Sequence, residues 1–381
     1  MSSKGTVSLK QSISFGGVVA TIGSILIALG VAWLIALNWS EMPSALKVLI
    51  LVISTLGAYT AGTLFRTHNH EVIGGSLLVL GALLYTLSIF LIAQIFNLST
   101  SLQSNAWFLL LAIVGVLIAS YIFSSSASLI IALFEFLVWI SLQYLSFVSF
   151  GDGFSMGILT IIYLAVGIGL YGLTQIHKSI DHKFSRVYRY WSAFYILLLA
   201  YILSFQILLS FLWSDNFVLA SNVLFFLVVI SVLAVILAGV GIYMSLVKNK
   251  LSSKETWGFI GLVLLYVLLI GLASLISGEP VYGGPISGGL LVMWLFDNLL
   301  FIVVILSVIG YGTKHHSVKI VNLAIAFFAL DIITRYIGFI MDFGGQIGFA
   351  VMSIIGGIIL IFGGWGIEKW RRKLIERTKE N

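Results

Sequence analysis

Runs of about twenty consecutive apolar residues recur along almost the whole chain, and they limit its possible folds more than any other feature. A bilayer core of about 30 Å is crossed by about 20 apolar helical residues. Continuous apolar runs predict helices, because the strands of a membrane barrel alternate apolar and polar residues. Twelve such runs lie at 15–37, 45–65, 73–96, 106–123, 127–149, 156–175, 190–212, 218–246, 256–276, 289–311, 319–340 and 346–366.

The predicted fold is therefore an all-α, polytopic integral membrane helix bundle of about 12 transmembrane helices. Only 9% of the residues are charged and 60% are hydrophobic, whereas about 25% of the residues in a soluble domain are charged. We expect a short cytoplasmic head at 1–14, a transmembrane domain at 15–366 and a basic cytoplasmic tail at 367–381. The tight serine-rich turn at 124–126 is the least secure boundary between two spans.

The basic residues predict the orientation, because cytoplasmic loops of membrane proteins are enriched in Lys and Arg. With both termini in the cytoplasm, 18 of the 20 Lys and Arg residues fall on the inner side, and Lys47 and Arg335 are the exceptions. The net charge of +6 is thus a topology signal and a contact for anionic lipid headgroups on the cytoplasmic face. Nucleic acid is not an expected partner.

The first and third spans share a glycine pattern, which predicts a two-helix repeat at 15–65 and 73–123. Parallel repeats of this kind occur in transporters. At an offset of 58 positions, the matching glycines are Gly16 with Gly74, Gly17 with Gly75, and Gly23 with Gly81.

Motifs for soluble chemistry are weak or missing in this sequence. The chain has no cysteine, so thiolate nucleophiles and Cys-ligated metal sites are excluded. Gly167 to Gly172 matches G-x-G-x-x-G but lies inside a span without a preceding strand, so we interpret it as helix packing rather than nucleotide binding. All six histidines, including His68, His177 and His315, fall on the predicted cytoplasmic side, and we interpret them as polar loop residues. We expect no cofactor and no metal.

Ionisable residues inside the spans give the strongest functional signal. Glu135 and Asp297 lie about 13 and 12 Å inside the predicted membrane edges at 1.5 Å per helical residue. A charge at mid-bilayer costs about 2.5–3.5 kcal/mol on insertion scales, so these side chains should face protein or water. Asp331 and Arg335 share a helix face at i,i+4 and predict an intramembrane ion pair. Glu135 and Asp297 then lack an obvious cation and are candidate proton carriers, although cross-helix hydrogen bonding is the simpler alternative.

Further polar residues gather towards the predicted outer half of the membrane and suggest an outer polar cluster that forms an access vestibule. Lys47, at the start of its span, can extend to that surface. With Asp297, Asp331 and Arg335, the members of the cluster are Asn38, Trp39, Lys47, Gln94, Asn97 and Asn298.

Two stretches of the chain resemble a known family. They run from Gly23 through Trp39 to Lys47 and from Gly81 to Phe96, and the C-terminal Thr334-Arg335-Tyr336 with the basic tail is similar as well. These stretches resemble the predicted prokaryotic membrane proteins of domain of unknown function 2157. The resemblance implies a multi-pass protein of a prokaryotic plasma membrane, and it supplies no activity or site residue.

Three functions agree with this pattern. The first is a secondary transporter or permease-like protein with an unknown small-molecule substrate, for which the buried acids suggest proton coupling. In that case Asp331 and Arg335 would form a gate or an anion contact rather than a structural clamp. The second is a non-transporting subunit or scaffold with a membrane protein partner, active in cell-envelope assembly. The third and least favoured is a membrane-embedded enzyme acting on a lipid-linked substrate, with Asp297 as its general base.

Overall fold

The computed structural model describes residues 39–99, 101–148, 156–205, 220–250 and 288–342, parts of 256–271, and the single positions 33, 37, 357, 365, 369, 372 and 376. All regular elements in these residues are α-helices, which confirms the all-α prediction. The helices are α1 (Ser44–Thr67), α2 (Glu71–Ile95), α3 (Leu102–Ile122), α4 (Ser126–Phe147), α5 (Met156–Ser179), α6 (Ser185–Leu203), α7 (Ser221–Val247), α8 (Gly288–Lys314) and α9 (Val318–Asp342).

Eight of the described helices are long and apolar enough to cross a membrane, and α6 is the one that is not. The eight agree with predicted runs to within about one helical turn, because an apolar run long enough to span a bilayer is a local property of the sequence. The predicted runs 15–37 and 346–366 fall almost wholly outside the described residues, and 256–276 is described only in part. The count of twelve and the sides of the termini therefore stay predictions.

Six helices end in the same way, on a left-handed residue two positions after the last helical residue. The N–H of the following residue then donates to the carbonyl oxygen five positions earlier, as from Leu98 to Ala93 at 2.7 Å. This is a Schellman motif, for which glycine is the usual residue and asparagine a frequent substitute. The left-handed residues are Asn69, Asn97, Ser124, Asp181, Asn249 and His316, with φ between 48° and 64°.

The serine-rich turn at 124–126 is confirmed as the boundary between two helices. Helix α3 ends at Ile122, and α4 begins directly after Ser125. The Ser125 hydroxyl accepts a hydrogen bond from the Ser128 backbone N–H at 3.2 Å. A serine at this position satisfies one of the free N–H groups in the first helical turn, so the turn needs no additional residues.

The chain divides into two compact units, Met1–Leu98 and Ser99–Asn381. In the first unit α1 packs along α2, and their backbones meet at Gly62 and Gly74. A Cβ atom added to Gly74 would lie 2.6 Å from the Gly62 carbonyl oxygen. Small residues at such contacts allow close helix approach in membranes. Thr55 Oγ1 and Ser88 Oγ, 3.3 Å apart, add a buried hydrogen bond between the two helices.

In the second unit α6 is the central helix. It packs against α5, α8 and α9 and also contacts α4, while α3 packs on α4 and α5 packs along α7. The α5–α7 contact is closest at Gly172, where a Cβ atom added to Gly241 would lie 2.4 Å from the Gly172 carbonyl oxygen. The helix-packing interpretation of Gly167 to Gly172 is confirmed. The core around α6 includes Leu197, Ala200, Leu203, Phe301, Val304, Val321 and Ala324.

Helix α6 corrects the prediction of an unbroken helix from 190 to 212. It begins at Ser185 and ends at Leu203, so it starts earlier and stops well inside the predicted run. The local sequence offers no stop signal, because Leu203-Ser204-Phe205 lies in an apolar stretch without glycine or proline. Side chains from α8 and α9 bind the Ser204 carbonyl oxygen instead. The helix end is therefore formed by tertiary contacts.

Large apolar side chains remain exposed along the outer faces of the described helices. Helix α7 shows this most clearly: Phe225 is 71% exposed and Val235 is 64% exposed. Continuous apolar surface of this kind is unfavourable in water and favourable against lipid tails. The helices thus fit a bilayer environment, as a multi-pass membrane protein requires.

Candidate functional site

Asp297 on α8 is the most unusual buried residue of the second unit. Its side chain is only 3% exposed, and neither carboxylate oxygen has a hydrogen-bond partner among the described residues. It lies one and two helical turns before the buried residues Phe301 and Val304, on the same side of α8. A carboxylate in such surroundings is favoured in its neutral form, because burial of an unpaired charge is costly.

The next residue, Asn298, has the opposite environment. Its Nδ2 donates to the carbonyl oxygens of Trp294 at 2.7 Å and Ser204 at 3.2 Å. Its Oδ1 accepts from Arg335 Nη2 at 3.0 Å. Both polar atoms of the Asn298 amide therefore have hydrogen-bond partners, and the side chain links α8 to α6 and α9.

Arg335 on α9 joins the same contact. Its Nε lies 3.2 Å from Asp331 Oδ1, so the two residues are within ion-pairing distance on one helix. Its Nη2 donates to the carbonyl oxygen and, at 2.8 Å, to the hydroxyl of Ser204. The guanidinium also lies over the Phe205 ring at 4.7 Å. The Arg335 guanidinium thus donates to oxygen atoms at the end of α6, on α8 and on α9, and so links these three helices.

Two other cations cap helix ends in the same way. Lys250 Nζ donates to the carbonyl oxygens of Lys178 and Ser179 at the end of α5, at 3.4 and 3.3 Å. Lys183 Nζ donates to the Ser124 carbonyl oxygen beyond the end of α3. The free carbonyl groups at a helix C-terminus carry partial negative charge and attract cations. This attraction explains why Arg335 departs from the predicted cytoplasmic placement of basic residues: the end of α6 lies beside it.

Glu135 is buried at 8% exposure on α4. Its helix packs against α3 and contacts α5, α6 and α7. Glu135 and Asp297 are therefore on two different helices that both contact α6, and no hydrogen bond between the two acids is present.

The structure divides the outer polar cluster between the two compact units. Trp39, Lys47, Gln94 and Asn97 belong to the first unit, whereas Asn298 belongs to the second. Lys47 Nζ lies 5.5 Å from the centre of the Trp39 ring, within cation–π distance. Gln94 and Asn97 are exposed. Asn38 lies outside the described residues.

His177 corrects the prediction that the histidines are polar loop residues. It is 7% exposed in the last two turns of α5. Its Nδ1 lies 2.8 Å from the Leu173 carbonyl oxygen and must donate, since a carbonyl only accepts. Its Nε2 lies 2.8 Å from the Tyr121 hydroxyl, which in turn lies 2.8 Å from the Tyr188 hydroxyl. Two tyrosines and one histidine thus form a hydrogen-bonded chain between α3, α5 and α6.

Residues 3–129 match the model of a family described as predicted membrane protein, domain of unknown function 2157. The match confirms the resemblance seen in the sequence. It covers α1, α2, α3 and the first residues of α4, and it reaches neither Asp297 nor Arg335. No curated protein and no solved structure matches the chain.

The sequence does not predict Arg189 as a site residue. By its charge it counts only among the basic residues of the predicted inner side, whereas it lies on α6 and lines a cavity of about 260 Å³. The signal available was its place at the start of an apolar run, one turn after Arg186. Neither Glu135 nor Asp297 lines this cavity.

Proposed function

We propose that the chain is a secondary transporter or permease-like protein, linked to protons through Asp297, with Glu135 as a second carrier. The observation that supports the proposal is the complete lack of hydrogen bonds at the two buried Asp297 oxygens in the described part of the chain. Intramembrane ionisable residues are rare and commonly serve ion or proton pathways.

Asn298, the residue after Asp297, makes the hydrogen bonds expected of a polar group with a structural role. Asn298 uses its amide fully to bind α6 and α9, whereas neither carboxylate oxygen of Asp297 makes a hydrogen bond to a described residue. A group that costs folding free energy and binds nothing in this state is expected to act in another state. In the proposed cycle, Asp297 carries a proton in the closed state and releases it when the helices around α8 open to water.

Arg335 and Asp331 have a different place in the proposal. The contacts of Arg335 to Ser204 and Asn298 support a structural clamp rather than a gate. Within the outer polar cluster we assign the access vestibule to Asn38, Trp39, Lys47, Gln94 and Asn97. We also propose a prokaryotic plasma membrane, cytoplasmic termini, and anionic headgroups on the cytoplasmic face as lipid partners.

A non-transporting membrane subunit is the second candidate. Three cations favour this candidate, because each connects the end of a helix to a later segment of the chain, as a rigid scaffold requires. They are Lys183, Lys250 and Arg335. It is also favoured by the absence of Glu135 and Asp297 from the walls of the 260 Å³ cavity. The two candidates make opposite predictions for Asp297: a scaffold tolerates its replacement, and a proton carrier does not.

The test uses purified protein in liposomes that enclose a pH-sensitive dye. Internal pH is followed while a panel of carboxylates, amino acids, sugars and phosphate is added outside. We expect at least one solute to move protons in the wild type, and Asp297→Asn and Glu135→Gln to lose this flux. Asp181→Asn is the matched control, because Asp181 is an exposed acid. Equal flux in wild type and both carrier variants would refute the proton-carrier assignment.

A second measurement asks directly whether Asp297 is neutral. Infrared spectra of a protein film show the carbonyl stretch of a protonated carboxylic acid separately from that of a carboxylate. We expect the protonated band of the wild type at neutral pH to decrease in Asp297→Asn and to persist in Asp181→Asn. An unchanged band would contradict the neutral acid on which the proposed cycle depends.

A further inference from the structure

A cavity of about 260 Å³ lies in the second unit between α5, α6, α8 and the described residues near Phe259. One water molecule needs about 10–15 Å³ on the same measure, so a small ion with part of its hydration shell fits inside. Polar groups on three helices face it. Those that the argument uses are Arg189, Thr174, Ser192 and Ser307.

Arg189 brings an unmatched positive charge to this cavity. Its Nε is buried and has no hydrogen-bond acceptor among the residues that the structure describes. An Arg guanidinium is always ionised and has five N–H donors. The contrast with Arg335 is clear, because the donors of Arg335 reach Asp331, Asn298 and Ser204.

No acid among the described residues of the second unit lies on the wall of this cavity. Asp181 pairs with Lys250 at 2.6 Å, and Asp331 pairs with Arg335. Glu135 and Asp297 are absent from the cavity wall. Within the described residues, the charge of Arg189 is therefore left for a bound anion to match.

The other wall groups suit an oxyanion. The Ser192 side chain is buried one turn after Arg189 on α6, where its hydroxyl can donate to a ligand. The Thr174 hydroxyl donates its one proton to the Leu170 carbonyl oxygen at 2.9 Å, so Arg189 and Ser192 are the donors considered for the ligand. Planar guanidinium groups bind carboxylate and phosphate oxygens through paired N–H donors. Apolar side chains such as Phe259 and Val308 form the rest of the wall.

We propose that this cavity binds an oxyanion, a carboxylate or a phosphate group, whose charge is matched by Arg189. The ends of α5 and α8 and the start of α6 lie at this side of the unit, which is the predicted cytoplasmic side. The anion thus comes either from a cytoplasmic solute or from an anionic lipid headgroup. The site does not depend on transport, because a non-transporting subunit would bind the same group.

The test is calorimetric titration of the full-length protein in a non-ionic detergent. Three probes are used separately: inorganic phosphate, succinate, and short-chain dihexanoyl phosphatidylglycerol. We expect saturable binding of at least one probe by the wild type, and a loss of about tenfold or more in affinity for Arg189→Gln, as removal of a charge-assisted hydrogen bond gives. Binding of the soluble probes identifies a solute site, and binding of the lipid alone identifies a headgroup site.

Arg186→Gln is the matched control, since Arg186 lies one turn earlier on α6 and is exposed. Its affinity should stay within about twofold of the wild type, as expected for an exposed charge that makes no contact with the ligand. Absence of saturable binding with all three probes would overturn the proposal. Equal affinities of the wild type and Arg189→Gln would overturn it as well.

A second variant keeps the test decisive if Arg189→Gln does not fold. Ser192→Asp places a carboxylate three residues from Arg189 on the same helix face, where the two can pair. The variant supplies the missing anion from the chain itself, so we expect a higher melting temperature and loss of probe binding. A folded Ser192→Asp protein that binds the probes as the wild type does would overturn the proposal.

Discussion

Arg335 on α9 donates a hydrogen bond to the carbonyl oxygen of Ser204, the residue that follows the last turn of α6. This contact joins Arg335 to a helix end that lies 131 residues earlier in the chain. The Trp294 indole and the Asn298 amide bind the same oxygen, at 3.0 and 3.2 Å. The end of α6 is thus a contact between three helices.

Replacement of Arg335 by glutamine should destabilise the protein strongly. The change removes the bonds to Ser204 and Asn298 and leaves Asp331 without its cation. Loss of a partner from a largely buried charged network costs about 2–4 kcal/mol. The measurement is unfolding in mixed micelles with increasing denaturing detergent. Asp331→Asn is the control and should cost less, because the bonds of Arg335 to α6 and α8 remain. A cost for Arg335→Gln below that of Asp331→Asn would contradict the capping role.

Asp297 and Asn298 should respond in opposite directions to the same substitution. Asp297→Leu removes a buried carboxyl without partners and should stabilise the protein by about 1–3 kcal/mol. Asn298→Leu removes the hydrogen bonds that link α8 to Arg335 and to the Ser204 carbonyl oxygen and should destabilise the protein by a similar amount. Melting temperatures of both variants in detergent test this pair. A loss of stability in Asp297→Leu would show that Asp297 supports the fold.

The glycine contact between α5 and α7 should not tolerate even one methyl group. A Cβ atom at Gly241 would overlap the Gly172 backbone, which cannot move without separation of the helices. Overpacking of this kind costs about 1–3 kcal/mol, so Gly241→Ala should lower the melting temperature. Gly239→Ala is the control on the same helix, because a Cβ atom at Gly239 meets nothing within 4 Å. Equal stability of the two variants would argue against the close contact.

Lys250 should contribute more through the end of α5 than through its ion pair. Asp181 is 84% exposed, and exposed ion pairs contribute about 0–1 kcal/mol. Asp181→Asn should therefore change stability little and lose its effect in high salt. Lys250→Met also removes the bonds to the Lys178 and Ser179 carbonyl oxygens and should cost about 1–2 kcal/mol. A larger effect of Asp181→Asn than of Lys250→Met would reverse this assignment.

The sequence predicts the parts of the structure that depend on neighbouring residues. Helices such as α2 and α9 follow from apolar runs, and the serine turn before α4 follows from its composition. The i,i+4 spacing brings Asp331 and Arg335 to one face, where they lie 3.2 Å apart. Each of these features is local, so periodicity and spacing are sufficient to predict it.

Features that join distant segments could not be predicted in this way. The end of α6 depends on Trp294, Asn298 and Arg335, which lie on other helices. His177 and Arg189 resemble ordinary loop residues in the sequence, and the burial of the His177 ring and of Arg189 Nε follows from the packing of α6 against α5 and α8. The sequence shows which charges enter the membrane, but it does not show which of them find partners.

The capped helix ends also impose an order on biosynthesis. Ser124 receives its cation only once Lys183 has been made, the end of α5 waits for Lys250, and Ser204 waits for Arg335. Until then, these carbonyl oxygens lack the cationic donors that they bind in the finished protein. Nascent chains truncated before these lysines or the arginine would keep incompletely capped helix ends and would be better targets for quality-control proteases than the full-length chain.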